Sequence, residues 1–288
     1  DISPAMERRL LPALGLAAAL LYGIGMTRAG FEGKDERRYA QVAKELRLGR
    51  DMFVLHYLGD LYPDKPPLVF WAEGVCYALF GGVSPGAARL PLMLSALLAL
   101  GFGYLAMRQI DGRREALIGA ILLALSFRFL WAGRWVKLDM QMLTFTYAAY
   151  WASARLLFPK AEQKAAGLGW ALLAWAFAAL AALSKGPGAL TWLLTILAYA
   201  AIRREWAPVR CHRMALGMLL FVAIGAVWLI PAMILGGPEY YGPMFGTHVR
   251  DRMVGIVRHV QPMAYFFYKM PSDMLPAGLF LPVAVWWA

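Results

Sequence analysis

The sequence predicts an all-α integral membrane protein, a polytopic helix bundle of about eight spans. Three observations carry that expectation. The chain is 60% hydrophobic and only 16% charged, with a mean hydropathy of +0.53, which excludes an ordinary water-soluble domain. Apolar stretches long enough to cross a hydrocarbon layer about 30 Å thick recur throughout the 288 residues. No alternating strand pattern of the outer-membrane type is visible, so backbone hydrogen bonds must close within helices.

The candidate spans are residues 10–28, 88–107, 116–132, 141–158, 167–183, 188–202, 214–235 and a last one starting near Leu275. With the N-terminus inside, the short inner connections are 108–115, 159–164 and 203–213. Each carries clustered Lys or Arg, as the positive-inside rule requires. Residues 1–6 lack an initiator methionine and read as a remnant outside the fold. The final apolar run stops on Trp286-Trp287-Ala288 without a flanking charge, so the chain is expected to end inside a helix of a larger protein. Cys76 and Cys211 are too few for a disulfide framework, and the topology puts them on opposite sides.

Two outer loops are too long to be connectors. In the first, 29–87, the stretch 35–47 places Tyr39, Val42, Ala43 and Leu46 on one face and Arg37, Arg38, Lys44 and Arg47 elsewhere. That pattern predicts an amphipathic helix lying in the membrane interface. After an irregular stretch, Pro66-Pro67 open a second, more apolar helix ending near Gly81-Gly82. The second outer loop, 236–276, is rich in Tyr, Met, Arg and His.

Lys and Arg number 29 against 18 Asp and Glu, but no basic tail or RNA-binding signature points to nucleic acid. The informative charges lie outside: Lys34, Arg37, Arg38, Lys65, Arg134, Lys137, Lys185, Arg250, Arg252, Arg258 and Lys269. Such a surface runs against the usual topology bias and calls for an anionic partner. Lipid-linked phosphates fit, because Arg and Lys bind them through charge-assisted hydrogen bonds. The competing explanation is pairing with outer acids, among them Asp35, Glu36, Asp64 and Asp139.

Three motifs carry a resemblance: Asp35-Glu36-Arg37-Arg38-Tyr39-Ala40, Tyr62-Pro63-Asp64-Lys65-Pro66-Pro67-Leu68-Val69-Phe70-Trp71, and Ala87-Ala88-Arg89-Leu90-Pro91. Leu138-Asp139-Met140, Leu183-Ser184-Lys185-Gly186-Pro187, His248 and His259-Val260-Gln261-Pro262 follow in order. Together they resemble the GT-C superfamily of glycosyltransferases, above all the lipid A aminoarabinose transferases and the bacterial protein-mannosyltransferase-like enzymes. The resemblance implies inverting transfer of a sugar, such as 4-amino-4-deoxy-L-arabinose, from a polyprenyl-phosphate donor. Lipid A, a related glycolipid or a protein hydroxyl would accept it on the outer face of the bacterial inner membrane.

By resemblance, Asp35 and Asp139 are the catalytic carboxylates and Asp35 orients or deprotonates the acceptor. Helix capping is the plainer explanation for either acid. Lys65 contacts the donor phosphate and offsets charge on the departing group, against a snorkelling interface lysine. Tyr39, Tyr62, Arg38, Lys185, Arg250, Arg252 and His259 complete the substrate-binding set. Lys185-Gly186-Pro187 would equally well terminate a helix, and an interfacial aromatic belt would equally account for Tyr62. No cofactor is required, and the one metal candidate is zinc on Asp64 and His248, where Asp64 replaces the usual Glu of the aminoarabinose transferases. Arg250 and Arg252 compete for a single family arginine. A transporter of the same lipid carriers would show internal repeats or broken mid-membrane helices, which the sequence lacks.

Overall fold

The computed structural model describes residues 2–49, 52–160, 167–246 and 262–280. Among the described residues, helices occupy the expected spans from the first to the one starting at Met214. The 10–28 span corresponds to α1 (Pro4–Gly23), and the amphipathic stretch to α2 (Gly33–Leu48). The second loop helix is α3 (Leu68–Leu79), with Pro67 as its N-cap. The bundle continues with α4 (Pro85–Ile110), α5 (Arg113–Leu125), α6 (Phe127–Arg134) and α7 (Leu138–Leu157). It is completed by α8 (Leu168–Lys185), α9 (Leu190–Arg203), α10 (Ala207–Cys211), α11 (Met214–Phe245) and α12 (Met263–Asp273). Ser3 accepts a hydrogen bond from the Met6 amide and caps α1, so residues that the sequence set aside belong to its first turn.

Among the described residues three helices, α4, α8 and α11, are long and apolar enough to cross a membrane, and the α5–α6 pair makes a fourth if its 63° bend is counted within one span. The chain is a membrane-embedded, mostly helical protein. Several expected spans fall short of that test for visible reasons. α1 carries Glu7, Arg8 and Arg9, α7 carries Gln141, Thr144, Thr146, Ser153 and Arg155, and α9 has only 14 residues. The last expected span lies mostly in 281–288, outside the described residues. The second outer loop is partly helical: α11 continues to Phe245 past a break at Gly237, whose φ of 61° is a conformation glycine tolerates.

α7 is the central helix, packed between α4 and α8, with α11 on the far side of α8. Its contact faces are built from small residues: Ala148, Ala149 and Ala152 on α7 and Ala171, Ala174 and Ala178 on α8 are fully or almost fully buried. Small side chains let helix backbones approach, which is how helices associate where lipid removes the hydrophobic drive between them. Gly217 serves the same end on α11, since a Cβ there would stand 2.0 Å from the Trp175 indole. By contrast only 11% of the apolar window of α11 is buried, which leaves its Leu, Val and Ile side chains facing outward.

At one end of this bundle, 203–213 closes on a buried polar knot. His212 Nε2 meets Ser153 Oγ at 2.9 Å, the Trp192 indole donates to the same Oγ, and the Trp175 indole donates to the His212 carbonyl. Burial holds His212 below its usual pKa despite the Pro208 carbonyl at Nδ1. Cys211 is beside it and Cys76 is buried in α3, both as free thiols.

At the other end α2 is nailed to the bundle by a buried ion pair. Arg89 on α4 donates from Nε to Glu36 Oε1 and from Nη2 to Glu36 Oε2, both at 2.9 Å, with each side chain 1% exposed. The remaining guanidinium hydrogens reach the carbonyls of Met26, Ala29 and Gly30. Glu36 in turn accepts the amides of Glu32 and Val136. Removing one partner of such a pair leaves a buried uncompensated charge. Arg89→Met should therefore destabilise the fold by about 3–5 kcal/mol, read as a lowered thermal midpoint of purified protein, whereas Arg28→Met at an exposed site should change it little.

Candidate functional site

The site grows from the fixed first turn of α2. Because Glu36 is locked inward, its neighbour Asp35, turned about 100° from it on the helix, is about half exposed. The cap position belongs to Glu32, so Asp35 sits inside the helix and capping does not account for it. Lys137 Nζ stands 3.6 Å from Asp35 Oδ2 and 4.7 Å from the centre of the Trp131 ring. Two residues on, Asp139 in the first turn of α7 pairs with Lys185, the last residue of α8. Gly186, at φ 82°, ends α8 there, so Lys185 both closes its helix and reaches the acid.

Arg38 and Tyr39 follow one turn along α2. Tyr39 packs edge-on to Phe70 at 5.9 Å, and Tyr62 packs on the same ring at 6.3 Å. Burial pushes the Tyr39 phenol above its usual range, reinforced by Tyr62, Asp35 and Asp139 and opposed by Arg38. Burial likewise pushes Tyr62 up to about 12, helped by the Asp64 charge and countered by the Arg38 guanidinium nearby. Asp35, Arg38, Tyr39, Tyr62, Asp64 and Asp139 therefore share one electrostatic neighbourhood. Lys65 is half-buried three residues beyond Tyr62, directly before Pro66-Pro67.

The segment carrying Tyr62 is held on three sides. A hairpin pairs His56 with Leu61 and Tyr57 with Asp60 across a two-residue turn in which Leu58 and Gly59 both have positive φ, at 56° and 86°. Glu45 on α2 accepts the amides of both turn residues. Upstream, the Trp71 indole donates to the Met52 carbonyl and the Trp228 indole to the Phe53 carbonyl, tying the loop to α3 and α11.

A cavity of about 600 Å³ opens beside Asp139. Arg128, Ser126 and Tyr147 line one wall and Tyr265, Lys269 and Asp273 of α12 the other; Asp35 and Lys65 do not line it. His248, Arg250, Arg252 and His259 lie outside the described residues. Among the described residues no three His, Cys, Asp or Glu side chains come close enough to hold a metal ion.

The motifs mark Asp35, Arg38, Tyr39, Tyr62, Asp64, Asp139 and Lys185 as one group; Glu36 stands among them only as an outer acid that could pair with the cations, Arg89 only as part of a motif, and neither is marked as the pair that fixes α2. The available signal was Arg89 itself, a cation at the mouth of an apolar span that lipid would reject unpaired. Nothing in the sequence distinguished Lys137 from the other outer cations.

Fold and cluster together define a membrane-embedded helical protein with a charged, aromatic-walled site at one end of the bundle. Residues 64–230, more than half of the chain, match the dolichyl-phosphate-mannose-protein mannosyltransferase family, and the chain belongs to that family. It is similar to undecaprenyl phosphate-alpha-4-amino-4-deoxy-L-arabinose arabinosyl transferase 1 of Pseudomonas fluorescens, at 28% identity over 97% of this chain and 51% of that protein. The crystal structure of ArnT from Cupriavidus metallidurans bound to undecaprenyl phosphate superposes with a TM-score of 0.85 at 26% identity, covering 94% of this chain and 50% of that one. The archaeal oligosaccharyltransferase AglB from Archaeoglobus fulgidus shares the fold, with a TM-score of 0.56 and 15% identity over 97% of this chain and 36% of that one. The chain spans about half the length of the curated relatives it matches.

Burial pushes the Glu45 carboxyl up, but hydrogen bonds from Gln41, Gly59 and Leu58 outweigh it and hold the group below its ordinary value of 4.5. Stability from a depressed carboxylate is present above the unfolded value and lost as pH falls through the folded one. The Leu58 and Gly59 amides should therefore lose protection against hydrogen exchange below pH 4.5, and Glu45→Gln should expose them already at neutral pH.

Proposed function

We propose that the full-length protein is an inverting glycosyltransferase that moves a sugar, such as 4-amino-4-deoxy-L-arabinose, from undecaprenyl or another polyprenyl phosphate to lipid A or a related glycolipid. The observation that carries this reading is the likeness to a structure bound to undecaprenyl phosphate, extending over 94% of the chain, combined with a cluster that holds two carboxylates among cations and phenols. The family description favours a second acceptor class, a protein hydroxyl. The two differ chemically: a phosphate oxygen is already ionised, whereas a hydroxyl needs a base to take its proton.

In this reading Asp35 orients or deprotonates the acceptor, and Lys65 neutralises charge on the departing phosphate. Asp139, with Lys185, is the second carboxylate of the site. Arg38, Tyr39, Tyr62 and Lys185 bind the phosphate or sugar, together with Arg250, Arg252 and His259. The helices α1, α4, α5 with α6, α7, α8, α9 and α11 make up the spans of a bundle of about eight, with α2 and α3 in the interface. Exposed Leu48, Met52, Leu58, Leu79 and Phe80 around those two helices support that placement. The Arg-rich connections then face the cytoplasm and the site faces the outer side of the bacterial inner membrane.

The deciding experiment incubates the full-length protein with labelled polyprenyl-phosphate sugars and candidate lipid and protein acceptors, identifying product by mass spectrometry. Lys65→Ala should lose transfer by about a hundredfold or more, and Lys65→Arg should recover only part, because a planar fork does not replace a compact ammonium. Asp35→Asn should fold normally and be inactive. Near-parent transfer by both Asp35→Asn and Lys65→Ala would place the chemistry elsewhere. Asp64 and His248 are the proposed ligands of a labile zinc ion joining the two outer loops. Protein purified without chelator should carry zinc that His248→Ala loses, and an absence of zinc from the parent protein would reduce the two residues to a hydrogen-bonded pair.

A further inference from the structure

We infer that Lys137 is a positioning residue for Asp35, holding the carboxylate at a fixed direction from the linker before α7. The role in turnover rests on the transfer reading above; the pairing itself does not. An exposed ion pair ordinarily orders little, because two mobile side chains gain modest Coulomb energy against their own entropy. Here the cation is fixed before the pair forms. Lys137 is the N-cap residue of α7 and its side chain is only 22% exposed. Its ammonium lies 4.7 Å from the Trp131 ring centre, an attractive placement that also restricts it.

The main chain sets the register. The Val136 amide donates to Glu36 Oε1 at 3.2 Å, and the flanking residues, Lys137 after Val136 and Asp35 before Glu36, meet through side chains at 3.6 Å. Trp135, one residue earlier, lies under the Arg89 guanidinium at 4.3 Å. The linker is thus clamped to the same Glu36–Arg89 pair that fixes α2, so lysine and aspartate are delivered by one rigid frame. Arg38, one turn further along α2, acts on Asp35 from its own helix and is itself engaged with Tyr62 and the Tyr57 ring. Lys137 therefore approaches Asp35 from outside its helix. A reacting group that is displaced by a fraction of an ångström or swings freely loses rate without losing ligand affinity.

The test has two arms on the full-length protein. In the first, lysines are reductively methylated with ¹³C, and the Lys137 resonance is assigned by its loss in Lys137→Arg. That resonance should shift in Asp35→Asn and stay in place in Asp60→Asn; no shift in Asp35→Asn overturns the pairing whatever reaction the protein catalyses. In the second arm Lys137→Met should lower kcat for transfer about tenfold with donor KM nearly unchanged. Lys137→Arg should restore most of it, and Lys44→Met, at an exposed position further along α2, should behave as parent. A parent-like kcat, or an effect confined to KM, would overturn the positioning role. A parent protein that forms no product with any donor would sink the transfer reading instead, while the resonance arm still decides the pair.

Discussion

The structure around the site depends on one buried ion pair. Glu36 and Arg89 are both 1% exposed, and between them they engage α2, α4, the 26–30 turn, Glu32 and Val136. Desolvating two charges is costly, and the cost is offset only when nearly every donor and acceptor is used. This pair meets that condition. Its contacts converge from elements far apart in sequence, so it fixes the direction of α2 relative to the bundle more firmly than apolar packing alone would.

The same frame explains why charges survive beside a membrane. Asp35 faces Lys137, and Asp139 faces Lys185, so the short run 137–139 sends a cation to α2 and an anion to α8. Phe70 on α3 supplies an apolar wall against which Tyr39 and Tyr62 pack edge-on. The resulting cluster holds both signs of charge and two phenols. α3 also buries a carboxyl, Glu73, which burial pushes well above the usual carboxylate range even though the Tyr77 hydroxyl faces it.

The opposite end is built by a different device. His212, Ser153, Trp175 and Trp192 satisfy one another in a neutral network, while the surrounding arginines stay at the surface. Neutral hydrogen bonds avoid the desolvation cost of ions, and they lock the α9 to α11 connection where the bundle needs closure rather than chemistry.

Composition and hydropathy determined that the chain is helical and membrane-embedded, because a hydrocarbon solvent leaves a backbone few other ways to satisfy its hydrogen bonds. The spacing of Tyr39, Val42, Ala43 and Leu46 determined the amphipathic character of α2, and Pro66-Pro67 the start of α3. The motifs also marked Asp35, Arg38, Tyr39, Tyr62 and Asp139 as one group, which the fold brings into one electrostatic neighbourhood. Only the tertiary structure decided which charge meets which. Asp35 and Glu36 are adjacent acids in the sequence, yet one is locked against Arg89 and the other faces Lys137 at the site. Successive residues on a helix point about 100° apart, so their partners depend on which neighbouring elements pack against each face, and those partners come from α4 and from the linker before α7, more than fifty residues away in the chain.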